Sequence, residues 1–213
     1  MRPIAISPGV HCVFRLAAAA ALAATLVITP AAMPFSIAPL IPAASAACPD
    51  AEVVFARGRQ EPPGVGAVGD VLVNSLRSKT QKSIGVYGVN YPADLSASSG
   101  AADMSAHVQS MAKSCPNTRM VLGGYSLGAT AADLATRVRL SPGMAQHVAA
   151  VALFGNAAFR LGPAPAFAGK TVDQCADGDP ICGRGTNWPS HLQPSYIGSG
   201  LVDQAASFIA GRL

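Results

Sequence analysis

A chain of 213 residues with 15 Lys and Arg against 11 Asp and Glu is long enough for one domain behind a leader. It has no basic stripe and no interleaving of aromatic and basic residues, so nothing points to a nucleic-acid partner. The positive mean hydropathy partly reflects the N-terminal segment and is not the mark of a membrane protein.

Residues 1–47 read as a secretory signal peptide. Arg2 and Arg15 flank a basic start, Leu16 to Ile28 is apolar, and Pro30, Pro34, Pro39 and Pro42 follow. The apolar run is shorter than the roughly 20 residues a membrane span needs. Ala44-Ser45-Ala46 supplies the small-residue pattern of a cleavage site, with the cut expected after Ala46 or Ala47. The leader is longer than usual, which leaves a retained N-terminal anchor as the rival reading. Export is preferred, with no stable transmembrane segment once the leader is gone.

The remainder, 48–213, holds every acid and has a net charge near +2. Cys12 falls in the leader, leaving Cys48, Cys115, Cys175 and Cys182, an even set that implies disulfides in an exported chain. Cys175 and Cys182 are near neighbours, so the expected bridges are 175–182 and 48–115. Closing the second loop contributes about 4 kcal/mol in the chain-entropy model. A metal site is disfavoured, because no CxxC or HxxxH spacing accompanies these cysteines.

In chain order, Glu52 to Ala56 is a β-branched apolar run ending at a Gly/Pro-rich loop. Val65 to Lys79 has helical spacing, with Val68, Leu72 and Leu76 on one face. Ile84 to Val89 is a second strand and Ala101 to Ser114 a helix. Met120 to Gly123 is a third strand, followed beyond Gly128 by an Ala-rich helix from Ala129 to Leu140. Val148 to Phe154 is a fourth strand, Thr171-Val172 a short fifth, and Leu201 to Leu213 an amphipathic helix. Apolar strands alternating with helices predict a mostly parallel sheet of roughly five strands, covered on both faces in a three-layer α/β sandwich.

Gly124-Tyr125-Ser126-Leu127-Gly128 matches the G-x-S-x-G nucleophile elbow, and it lies between an apolar strand and an Ala-rich helix. A serine on so tight a turn must hold strained backbone angles. The turn lifts its hydroxyl above the sheet, at a helix N-terminus that favours developing negative charge. The chain order in this architecture is Ser, acid, His. His107 precedes Ser126 and His147 sits before a strand, so only His191 follows the acids. The acids after Ser126 are Asp133, Asp173, Asp177, Asp179 and Asp203. Asp133 points away down the nucleophile's own helix, and Asp203 follows the histidine. Asp177 and Asp179 lie between Cys175 and Cys182, in a loop a disulfide would stiffen; the residues alone leave that pair open.

The segments FARGRQEPPGVG, VNYPA, CPNT, GGYSLGA, VAAVALFGN and CADGDPIC, with His191 nine residues beyond, span the whole chain after the leader. Together they resemble the cutinase family, and more closely the cutinase-like secreted esterases of mycobacteria and related actinobacteria. The resemblance implies an α/β-hydrolase fold and selects Asp179, three residues before Cys182. It also implies the same two bridges. The backbone N–H of Leu127 is one expected oxyanion donor, and the resemblance places the other at Arg59. The family usually carries Gln where Leu127 stands and Ser or Thr where Arg59 stands. Backbone donation survives both changes, while a helpful hydroxyl is lost; elsewhere one such donor is worth roughly 2.7–4 kcal/mol.

The expected function is a secreted, monomeric serine carboxylic-ester hydrolase, extracellular or associated with the cell wall. It would work through an acyl-enzyme with no metal or organic cofactor. The short Pro/Ala-rich segment between Phe154 and Cys175 leaves no room for a lid domain, so an open cleft lined by Leu127 and Leu192 should take ester or lipid substrates of short to medium chain length. The alternative is a weakly active or inactive family member that serves as a secreted surface or binding protein. A peptidase reading would share the Ser-His-Asp set, but nothing indicates a pocket for a peptide side chain.

Overall fold

The strand β1 (Ala51–Ala56) is buried at every position, as a strand must be when it has neighbours on both edges and helices on both faces. It pairs in parallel with β2 (Ile84–Gly88) on one side and β3 (Arg119–Tyr125) on the other. Beyond β3 lie β4 (Val148–Phe154) and β5 (Thr171–Gln174), giving the order β2-β1-β3-β4-β5. All four pairings are parallel. The coordinates are a computed structural model describing residues 48–213. The leader and its cleavage site lie outside the described residues.

Alternation along the strands divides the core in two. Val53, Phe55, Val121, Ala152 and Phe154 point to one face, where α1 (Gly66–Lys79) and α5 (Leu201–Ala210) cover them with Leu72, Leu76, Val202 and Ile209. Val54, Leu122, Val151 and Leu153 point to the other face. There α2 (Ser98–Ser114) contributes Met104 and Val108, and α3 (Leu127–Leu134) contributes Ala129, Ala131 and Ala132. The alanines let α3 lie close to the sheet. This is the three-layer α/β-hydrolase arrangement expected, and the segment between β4 and β5 forms only short 3₁₀ turns and no lid domain.

Several boundaries differ from expectation. Helix α2 begins at Ser98, because the Ser/Ala/Gly stretch before Ala101 winds into its first turn. Helix α3 stops at Leu134 and continues as one π-helical turn, Ala135–Arg139. A short helix, α4 (Gln193–Gly198), lies between His191 and α5, with Pro194 in its first turn.

The order of strands sets the site. From β1 the chain runs by α1 to β2; from β3 it runs the opposite way, by α3 to β4. The loops leaving β1 and β3 therefore diverge at their carboxyl ends and open a crevice between them, the switch point where open α/β sheets bind ligands. Ser126 ends β3 at that crevice and Arg57 to Glu61 leave β1 beside it.

Both expected disulfides form, Cys48–Cys115 and Cys175–Cys182. The first ties the start of β1 to the end of α2. Replacing both Cys48 and Cys115 with alanine is expected to lower the unfolding free energy by about 4 kcal/mol, measured by urea titration under non-reducing conditions. A change below about 1 kcal/mol would mean that the loop is already constrained in the unfolded chain.

Candidate active site

Ser126 occupies the turn between β3 and α3 with φ 54° and ψ −117°, a region that costs an L-residue about 1–3 kcal/mol. Its surroundings hold it there. The Ser126 N–H donates to the carbonyl of Phe154 on β4 at 2.8 Å. A Cβ at Gly128 would overlap the carbonyl oxygen of Ala56 on β1, and one at Gly124 would overlap the carbonyl of Gly128. The two glycines of the pentapeptide are thus required by contact across the turn.

The Oγ of Ser126 lies 2.8 Å from Nε2 of His191, and Nδ1 of His191 lies 2.7 Å from Oδ2 of Asp179. Asp179 is fully buried and His191 is 5% exposed. Burial alone pushes the Asp179 carboxyl up, but hydrogen bonds from Tyr196, His191 and the Ile181 amide hold it below the usual carboxylate range. An ionised carboxylate only accepts, so Nδ1 of a neutral imidazole must donate to it. Nε2 is then the acceptor, and the Ser126 hydroxyl donates to it.

The loop closed by Cys175–Cys182 builds the carboxylate's seat. Oδ1 of Asp179 accepts from the amides of Ile181 at 2.6 Å and Cys182 at 3.3 Å. Asp177, the other acid of that loop, is exposed. Cys175, Cys182 and Asp179 cluster closely enough to suggest a metal cage, but the two sulfurs are bonded to each other and offer no thiolate.

The remaining sequence candidates lie elsewhere. Asp133 pairs with Arg137 on the same helical face, and Asp203 with Lys79 and Ser75. Asp173 accepts from Asn156, and burial raises its carboxyl to about 7. His107 stacks on Tyr87 and binds Glu52 at 2.8 Å.

Four residues shape the site without having been singled out in the sequence. Tyr196, fully buried on α4, donates to Oδ2 of Asp179 and accepts from the Ala176 amide. Tyr125 donates to the carbonyl of His191 and packs edge-on against Tyr196. The two phenols thus fix the acid and the backbone of the histidine. On the other side, the buried guanidinium of Arg57 donates to the carbonyls of Glu61 at 2.7 Å and Tyr91 at 2.7 Å. The Glu61 carboxylate accepts from the amides of Gly58 and, at 2.9 Å, Ala67. Arg59 is exposed at the crest of this pinned loop. Tyr125 alone carried a local signal, as the variable residue before the serine. Tyr196 and Arg57 act over contacts of long sequence separation, and Glu61 collects amides within its own loop and the start of α1.

Leu127 is the first residue of α3, where a backbone N–H has no intrahelical acceptor. Leu127, Arg59 and Ser126 line one cleft of about 690 Å³. The cleft's other walls are largely apolar, with Ile181, Trp188, Leu192 and Pro194 among them. Trp188 is 55% exposed and leans over the His191 ring at 5.4 Å.

A parallel α/β sandwich with a serine elbow and this Ser-His-Asp hydrogen-bond relay is the arrangement of a serine hydrolase, and the comparisons with known proteins give the family and its ester chemistry. The cutinase family model matches residues 47–213, and the chain belongs to that family. It is 51% identical to the probable carboxylesterase Culp2 of Mycobacterium tuberculosis, over 92% of this chain and 94% of the relative. It is 50% identical to the phospholipase Culp4 of the same species, over 93% and 90%. Among solved structures, Trichoderma reesei cutinase in complex with a phosphonate inhibitor superposes with a TM-score of 0.68 at 33% identity, covering 77% of this chain and 76% of that one. An acetyl xylan esterase superposes with a TM-score of 0.68 at 26% identity, covering 78% and 99%. The chain is an ester hydrolase of this family.

Replacing Tyr196 with Phe keeps the ring and removes one donor to Asp179. The stability deficit is expected to be about 1.5–3 kcal/mol at pH 7. Because the Asp179 carboxyl is held below its ordinary value of 3.8, that stabilisation is complete above pH 3.8 and is lost as pH falls through the folded value. The deficit, measured by denaturant titration at several pH values, should therefore shrink below pH 3.8. A deficit independent of pH would mean that the phenol only packs.

Proposed function

We propose that this chain is an exported serine carboxylic-ester hydrolase that works through an acyl-enzyme, with Ser126 as nucleophile, His191 as general base and acid, and Asp179 as the group that orients the imidazole. The observation that carries the reading is the unbroken relay from Ser126 Oγ to His191 Nε2 at 2.8 Å and from His191 Nδ1 to Asp179 at 2.7 Å, hung on a serine held at positive φ.

In acylation, Ser126 Oγ bonds to the ester carbonyl carbon and its proton passes to His191. The carbonyl oxygen takes up negative charge, which the amides of Leu127 and Arg59 stabilise, aided by the N-terminal end of α3. The alkoxy C–O bond then breaks, and His191 returns the proton to the leaving alcohol. Water, deprotonated by the same histidine, attacks the acyl-enzyme and releases the acid and free Ser126. None of these steps calls on a metal or organic cofactor.

Two features support backbone donation despite the side chains at Arg59 and Leu127. The amides belong to the backbone, and the loop bearing Arg59 is braced by Arg57 and Glu61. An open, partly apolar cleft of about 690 Å³ fits acyl chains of short to medium length. Export rests on the leader-like residues 1–47 and agrees with two disulfides. No helix among the described residues is long and apolar enough to cross a membrane.

The test is hydrolysis of p-nitrophenyl esters from acetate to palmitate by residues 48–213. Activity should peak at short to medium chains, and Ser126→Ala should lower kcat by at least about 10⁴. Hydrolysis unchanged in Ser126→Ala, or a preference for palmitate, would contradict the mechanism or the chain-length assignment respectively.

A further inference from the structure

His191 becomes positive twice in each turnover, once as it takes the Ser126 proton and once as it deprotonates water. Asp179 answers that charge at Nδ1. A second neighbour of the ring follows from the turn that carries it. His191 ends the 3₁₀ turn Trp188–His191, and in such a turn side chains three residues apart eclipse. The indole centroid of Trp188 accordingly lies 5.4 Å from that of the imidazole, with the ring planes 43° apart.

The turn is braced on both sides. The Asn187 N–H donates to the Gly178 carbonyl at 3.1 Å, the Asn187 side-chain amide to Ser190 Oγ at 2.8 Å, and Ser195 Oγ to the Pro189 carbonyl at 2.9 Å. Trp188 belongs to neither core cluster and is more than half exposed. Its large ring therefore does not serve the core. What it touches is His191 and the cleft that His191 and Ser126 line.

An aromatic ring, indole above all, attracts a cation within about 6 Å of its centroid, by about 0.5–1 kcal/mol at exposed sites. A neutral imidazole gains little from it. The stabilisation arises when His191 is charged, in the transition states of both steps, and so lowers the barrier. The remaining groups near His191 do not supply it. Arg59, which lines the same cleft, is itself a cation. Tyr125 stacks at 5.8 Å with its hydroxyl committed to the His191 carbonyl, and Tyr196 is committed to Asp179. Burial pushes both phenols up, so they stay neutral. Asp177 and Arg184, near Asp179 in the chain, are exposed.

We propose that Trp188 is a positioning residue that acts through His191, its indole stabilising the imidazolium formed in acylation and deacylation. The proposal rests on the esterase reading and adds to it a residue outside the relay.

The experiment separates the ring's electrostatics from its bulk. Profiles of kcat/KM against pH are measured with p-nitrophenyl acetate for the wild-type protein, for Trp188→Phe, and for Trp188→Leu, which keeps apolar cover without an aromatic face. The acid limb reports the base of the free enzyme. In Trp188→Leu that limb should move to lower pH by about 0.4–0.7 unit, and the plateau should fall about two- to fivefold. Trp188→Phe, with a weaker aromatic face, should fall between the two. A limb that stays in place while the plateau falls would mean that the ring is only a cleft wall. A limb that moves to higher pH would mean that the ring only keeps water from the imidazole. Either result would overturn the proposal and leave the esterase intact. Trp188 is the single tryptophan of the chain, and a protonated imidazole beside an indole quenches its emission. Emission should therefore drop through the midpoint of the acid limb, and the step should vanish in His191→Ala. A step that persists in His191→Ala would overturn the contact. No hydrolysis by the wild-type protein would overturn the esterase reading and this role with it.

Discussion

A carboxylate removed from water, yet kept ionised, is the interaction on which the rest of this site depends. Asp179 has no exposed surface, and an isolated buried charge would take up a proton instead. Four donors prevent that: the Ile181 and Cys182 amides on one oxygen, Tyr196 and His191 on the other. Two of these come from the loop that Cys175–Cys182 closes, one from α4, and one is the imidazole itself. The charge then dictates the tautomer of His191, and the tautomer dictates that the Ser126 hydroxyl points its proton at Nε2. Disulfide, short helix and histidine loop are therefore a single electrostatic device rather than separate pieces of the fold.

The sheet supplies what this device needs, a rigid reference. Strands β1, β3 and β4 are buried along nearly their whole length, and they present Ser126 from the end of β3 in a conformation the residue would not adopt alone. That strain is sustained by the hydrogen bond to Phe154 and by the close approach of Gly128 to β1. The loop after β1 is held in its turn by a buried arginine wrapped in carbonyls and by a glutamate that collects amides. Groups that must not move in the reaction are thus positioned before substrate arrives, as electrostatic stabilisation requires.

Much of this was legible in the sequence wherever the signal is local. Three apolar runs gave the inner strands β1, β3 and β4, because parallel strands buried on both faces need no alternation of polar residues. The G-x-S-x-G pentapeptide announced the elbow, because its glycines answer contacts within a few residues of the turn or with the strand beside it. Other features had no such signal. The start of α2 was obscured by serine and glycine at Ser98 to Gly100, residues poor in intrinsic helix propensity, of which Gly100 is buried against Tyr91 and Ala131 of α3. Asp177 and Asp179 look alike in sequence; residue chemistry left them open until the family resemblance separated them, and in three dimensions only one is buried against His191. Tyr196 and Arg57 act through partners 17 and 34 residues away, and no periodicity marks a residue whose role is a single long-range hydrogen bond.

The relay should make one hydroxyl more nucleophilic than every other on the chain. Incubating the folded protein with a fluorophosphonate and locating the adduct by peptide mass spectrometry tests that directly. A single adduct on the peptide that contains Ser126, lost in His191→Ala, is the predicted result. No adduct on disulfide-bonded protein, or one that persists at full rate without His191, would contradict the relay as the source of reactivity.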